Sequence, residues 1–173
     1  ICPVQGRYNI RSQFMTSFNG EFEHKIDQKG RIFVPRRFLE EIEEISERNH
    51  FHVVVNKADG CLVIYTASAF AAYIGSAVAK QKTAKGAQLL RRSLGANSRK
   101  IALDAQGRLL LPDELRARIE LGRDAMIVGS LSYFEIWDRK MYLETALPAA
   151  DDFFNTEAAT FPNPDYVPEE GGL

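Results

Sequence analysis

Residues 26–35 read IDQKGRIFVP and residues 103–112 read LDAQGRLLLP. Asp27, Gly30, Arg31 and Pro35 recur as Asp104, Gly107, Arg108 and Pro112 at a constant offset of 77 residues, and the apolar positions between them recur too. Matches among residues with special backbone or charge properties mark an internal duplication, which constrains the architecture before any element is assigned. Each glycine can supply the positive φ that a tight hairpin commonly requires. The aspartate three positions earlier can accept hydrogen bonds from turn amides. Asp and Arg four apart across such a turn can also pair, so Asp27, Gly30, Asp104, Gly107 and Arg108 are read as structural turn residues. For Arg31, a clasp on Asp27 and a contact to a ligand both stay open.

Outward from the turns, both copies show the same order of elements. In the first, a strand ends at Ile26, a short strand Arg31–Val34 follows, and Pro35 opens a helical stretch, RRFLEEIEEISER. Its acids from Glu40 to Glu47 form an exposed face, while Phe38, Leu39, Ile42 and Ile45 are expected to pack inward. Strands FHVVVNK and CLVIY come next, joined by the turn Ala58-Asp59-Gly60. The second copy reads RKIAL, turn, RLLL, Pro112, the short helix DELRARIEL, then AMIVGS and YFEIW. Between the copies, TASAFAAYIGSAVAKQ and AKGAQLLRRSLG space their apolar residues as connecting helices do. The expected division is a leader over 1–17, a first module over 18–66, connecting helices over 67–96 and a second module over 97–140. A C-terminal helix over 141–150 and an acidic tail without fixed structure over 151–173 complete it.

With 173 residues and 45 % apolar content, the chain can bury a core without disulfides or metal. Cys2 and Cys61 offer neither a disulfide framework nor a metal-ligand spacing, which fits a reducing cytoplasm. No run approaches the roughly 20 apolar residues a membrane helix needs. The formal net charge of −1 hides an asymmetry: Asp151, Asp152, Glu157, Asp165, Glu169 and Glu170 fall after Ala149 with no Lys or Arg among them, leaving a basic body.

That basic charge concentrates at the first turn, where Lys25, Lys29, Arg31, Arg36 and Arg37 lie within thirteen residues. A two-stranded ribbon fits the major groove of double-stranded DNA, where Arg can bind guanine bidentately while Lys holds phosphate. The second copy is poorer in charge: Ala105 and Gln106 stand in place of Gln28 and Lys29, and Asp113 and Glu114 replace Arg36 and Arg37. The first copy is therefore expected to face DNA and the second to complete the core. Arg91 and Arg92 fit a solvated helix face, and Phe134 and Trp137 fit core or interface anchors. His24, His50 and His52 have no metal-ligand or general-base partner at useful spacing. No Gly-rich phosphate loop or nucleophile with a base is present, so the reading is of a protein that is not an enzyme, with no cofactor, metal or small-molecule substrate.

The paired Asp-x-x-Gly-Arg turns, each followed by Pro, resemble the signature of the MraZ family, whose halves resemble the AbrB-type swapped-hairpin module. FNGEFEHKIDQKGRIFVPRRF is similar to the family's opening and VGSLSYFEIWDRKMY to its second half, and the likeness runs from about Phe18 to Leu147. This resemblance implies an α+β fold in which two pseudo-equivalent hairpin-and-helix modules form one small swapped-hairpin β-barrel, with connecting and C-terminal helices. It favours Arg31, with Lys29 and Arg37 beside it, as DNA contacts. It further implies a ring-like homo-oligomer, cytoplasmic and nucleoid-associated, that binds promoter direct repeats of the division and cell-wall gene cluster, its own gene included. Two rivals differ in class: an AbrB-fold antitoxin, and an oligomeric scaffold with no nucleic-acid role.

Overall fold

The computed structural model describes residues 17–157. The first repeat supplies β1 (Glu21–Lys25), β2 (Arg31–Phe33), α1 (Arg36–Glu41), β3 (His50–Asn56) and β4 (Cys61–Tyr65). Two connecting helices follow, α2 (Ala67–Ala79) and α3 (Ala84–Ala96). The second repeat supplies β5 (Ser98–Ala102), β6 (Arg108–Leu110), α4 (Asp113–Ala117), β7 (Asp124–Ser130) and β8 (Tyr133–Asp138). The connecting helices begin at side-chain caps: Thr66 Oγ1 accepts from the Ala69 amide and Thr83 Oγ1 from the Gly86 amide.

The strands pair across the repeats. Six of them form one antiparallel sheet in the order β1-β7-β8-β4-β3-β5, while β2 and β6 pair only with each other. Exchanging the two repeats turns this order into its own reverse, so the topology carries a pseudo-two-fold. Ile32 and Leu109, equivalent in the duplication, face each other at its centre. The same exchange relates two backbone bonds, from the Val34 amide to the Gly107 carbonyl and from the Leu111 amide to the Gly30 carbonyl. Each repeat thus lends its first strand to the other.

A continuous closed barrel, expected from the resemblance, is not formed: the six-stranded ladder ends at β1 and β5. Each edge strand is already paired with the opposite repeat, and after its turn three further residues pair with that repeat's equivalent strand, so the β2–β6 ribbon joins the edge strands through the turns instead of extending the ladder. Ile32 and Leu109 enter the same core as Phe18, Phe38, Phe51 and Phe134, all fully buried. The rings of Phe18, Phe38 and Phe134 contact one another with centroids 5.1–5.3 Å apart, in tilted or edge-on arrangements.

Two expectations need correction. The helix opened by Pro35 stops at Glu41, Ile42 turns to extended backbone, and only a short 3₁₀ turn forms over Ile45–Glu47. A continuous helix would set Glu40 and Glu41 against Glu43 and Glu44 at like-charge spacings. The break still buries Ile42, but Ile45, expected inside, is 71 % exposed. At the other end, helical backbone runs through α5 (Arg139–Met141), a wide turn over Tyr142–Ala146 and α6 (Leu147–Glu157). It therefore enters the stretch read as tail: Leu147–Glu157 holds no glycine, and its one proline, Pro148, follows directly on the wide turn over Tyr142–Ala146. The remainder of that tail, and of the leader, lies outside the described residues.

Candidate nucleic-acid interface

Both turns are built alike. Asp27 Oδ1 accepts from the amides of Lys29 and Arg31, each at 2.9 Å, and Oδ2 accepts from Arg31 Nε at 2.7 Å. Asp104 repeats the pattern with the Gln106 and Arg108 amides at 2.9 Å and Arg108 Nε at 2.8 Å. Gly30 and Gly107 sit at φ of +81° and +79°, a region open to glycine and strained for other residues. The Arg31 side chain, followed by its amide, holds the Asp27 carboxyl down to about 2, and the Arg108 side chain likewise holds Asp104 below the ordinary carboxylate range. One edge of each guanidinium is thereby fixed to its own turn. The opposite Nη edge keeps donors for an outside acceptor.

Alternation along β2 and β6 determines what the ribbon shows. Ile32 and Leu109 point inward, so Arg31, Phe33, Arg108 and Leu110 occupy the other face. Arg31 stands opposite Leu110 and Phe33 opposite Arg108, whose guanidinium carbon lies 5.7 Å from the Phe33 ring centre. Phe33 and Leu110 are 48 % and 55 % exposed. The second repeat therefore supplies half of this face, which counting charges around its turn did not reveal. The equivalence of Arg108 with Arg31, together with the alternation of R-I-F and R-L-L, was the available signal.

The remaining basic residues differ in freedom. Lys25 pairs with Asp124 at 3.5 Å across β1 and β7, and Arg36 pairs with Glu40 at 2.9 Å on α1. Lys29 and Arg37 are exposed, and neither forms an ion pair among the described residues. Asp113 and Glu114, the acids in place of Arg36 and Arg37, are engaged by Arg116 and by Arg99 respectively. Arg91 and Arg92 are exposed on α3. His52 stacks on Phe70 with centroids 4.3 Å apart, and burial lowers the pKa of both His24 and His52. Phe134 lies in the core, while Trp137 lies on the opposite face of the sheet and donates to Glu135. Among the described residues no group of three His, Cys, Asp or Glu side chains is placed to hold a metal, and no helix is long and apolar enough to cross a membrane.

Comparison with known proteins bears on the duplication directly. The sequence model of one family, described as "MraZ protein" and "antitoxin-like", matches twice in tandem, over residues 17–93 and 94–163. The chain belongs to the MraZ family. Relatives named transcriptional regulator MraZ include those of Pediococcus pentosaceus, 30 % identical over 79 % of this chain and 91 % of its own, and of Lachnoclostridium phytofermentans, 34 % identical over 78 % and 91 %. That of Thermomicrobium roseum is 36 % identical over 69 % of this chain and 80 % of its own. The boundary between the two MraZ matches falls inside α3, so each holds one Asp-x-x-Gly-Arg turn and one ribbon strand.

Proposed function

We propose that this MraZ protein is a DNA-binding transcriptional regulator, not an enzyme, and that the β2–β6 ribbon is its reading surface. The observation that carries the reading is the ribbon's outer face, where two clasped arginines, Arg31 and Arg108, flank exposed Phe33 and Leu110. A clasped arginine is partly neutralised by its aspartate, so its contribution is directional: a fixed donor edge for a base acceptor, ordered before binding. Phe33 and Leu110 suit contact with thymine methyl groups. Lys29 and Arg37, unpaired and exposed, suit phosphate, with Arg36 and Lys25 at the margin.

One ribbon of this size makes few phosphate contacts, and several copies on one DNA would gain through effective concentration what each lacks. The proposed form is accordingly a ring-like homo-oligomer binding direct repeats in the promoter of the division and cell-wall gene cluster, including its own, in the cytoplasm at the nucleoid. The names of the relatives support regulation of transcription. The family's description as antitoxin-like supports a second reading, in which a protein partner is bound as well.

The test is a titration of the purified protein against its own upstream DNA at several salt concentrations. Wild type is expected to bind cooperatively and more tightly than it binds random duplex. Arg31→Ala should lose roughly 1–3 kcal/mol on that DNA, while Arg37→Ala should weaken all DNA alike and lower the salt slope by about 1. No preference over random duplex at low salt would defeat the reading and turn attention to protein partners.

A further inference from the structure

The sheet face opposite the core carries a carboxylate where an apolar residue would be expected. Across β3, β4 and β8, Val54 pairs with Val63 and Val63 with Glu135, so Glu135 lies in mid-strand, in line with two valines. These three line a cleft of about 370 Å³, to which the C-terminal end of α3 contributes Leu94 and Asn97. One wall is aromatic: Tyr65 stacks on Tyr73 of α2 with centroids 5.2 Å apart, and the Tyr133 ring, tilted against Tyr65, also lies 5.2 Å from it.

Glu135 is desolvated, and burial raises the pKa of its carboxyl. Its Oε2 accepts from the Trp137 indole N–H at 2.9 Å, but no Lys or Arg among the described residues pairs with it. The cations nearby are engaged elsewhere. Arg99 binds Glu114 and the carbonyls of Ala96 and Ser98, and Arg118 binds Asn97. Lys57 is exposed and borders the same cleft, as does the carboxylate of Asp59. A partly buried carboxylate without a counter-charge is costly, and one opening into a cleft walled by tyrosine rings offers a cation both Coulombic and π attraction.

We propose that this cleft binds an organic cation, an alkyl-ammonium or alkyl-guanidinium group, with Glu135 as its charge partner and the rings of Tyr65, Tyr73 and Tyr133 as its wall. The cation comes either as a free small molecule or as the Lys or Arg side chain of a second copy of this chain. The proposal is independent of the DNA reading, since it uses none of the ribbon residues.

Trp137 is the chain's single tryptophan and is bonded to the carboxylate in question, so its emission reports directly on the site. Titration with agmatine or putrescine at constant ionic strength, sodium chloride being the balancing salt, should give a saturable change. Calorimetry on the same samples covers the case of a silent fluorophore. Glu135→Gln, which keeps shape and hydrogen bonding, should weaken binding at least about tenfold, and Tyr73→Ala, at a half-exposed helix position, should weaken it less. Sedimentation separates the sources: dissociation of assembled protein by agmatine or by Glu135→Gln assigns the cation to a neighbouring copy, and unchanged assembly with saturable binding assigns it to a free molecule. Absence of both saturable binding and any change in assembly would overturn the proposal, as would equal binding by wild type and Glu135→Gln.

Discussion

At Gly30 a Cβ would meet the Leu111 carbonyl oxygen at 3.1 Å and Arg116 Nη2 at 3.2 Å, whereas at Gly107 it would meet only Leu39 Cδ1 at 3.8 Å. Both positions share the positive φ, so the backbone strain of an alanine is common to them and the crowding is not. Gly107→Ala should cost about 1–2 kcal/mol and Gly30→Ala more, measured as shifts in the urea midpoint at unchanged slope. Equal losses would mean that Arg116 and the Leu111 backbone yield freely. The clasp makes a prediction in pH. Because the Asp27 carboxyl is held at about 2 in the folded protein and titrates near 4 when unfolded, its stabilising contribution is complete above pH 4 and fades as the pH falls toward 2. The stability difference between wild type and Asp27→Asn should therefore stay level from pH 8 to pH 5 and shrink below pH 4. A difference that changed between pH 6 and 8 would point to another titrating group.

Among the elements, the ribbon gives the sharpest test. Arg108 occupies the same face as Arg31, so Arg108→Ala should weaken operator binding by roughly 1–3 kcal/mol, comparably to Arg31→Ala. If the first repeat alone reads DNA, as its surplus of charge suggested, binding by Arg108→Ala would match wild type. This contrast marks where reading the sequence succeeded. The turn was legible because Asp, Gly and Arg within five residues carry local chemistry that requires no partner from elsewhere. The partner of β2 was not legible: nothing in RIFVP distinguishes pairing with β1 from pairing with β6. Likewise the end of α1 depended on a balance between apolar spacing, which continued through Ile45, and repulsion among four glutamates, which stopped the helix at Glu41. The Glu135 cleft was out of reach for the same reason, since Val54, Val63 and Glu135 align only once the register is set.

For residues 17–139, the exchange of strands determines what can fold alone. Of the six strand pairings, only β3–β4 and β7–β8 lie within a repeat; β1–β7, β4–β8, β3–β5 and β2–β6 all join the two. A single repeat keeps one hairpin and leaves Ile32 or Leu109, and the apolar faces of its strands, open to water. An isolated hairpin is marginal at best. Fragments 17–96 and 97–157, expressed separately, should therefore show no cooperative unfolding as monomers. Mixing them should restore the far-ultraviolet spectrum and a single transition whose midpoint rises with concentration. The pseudo-two-fold adds a second route to order: either fragment can supply the missing strands to a copy of itself, so any structure that appears unmixed should accompany a dimer in sedimentation. A monomeric fragment that unfolds cooperatively would show that a repeat carries its own core, and the strand exchange would then be a way of joining two domains rather than the condition for either to exist.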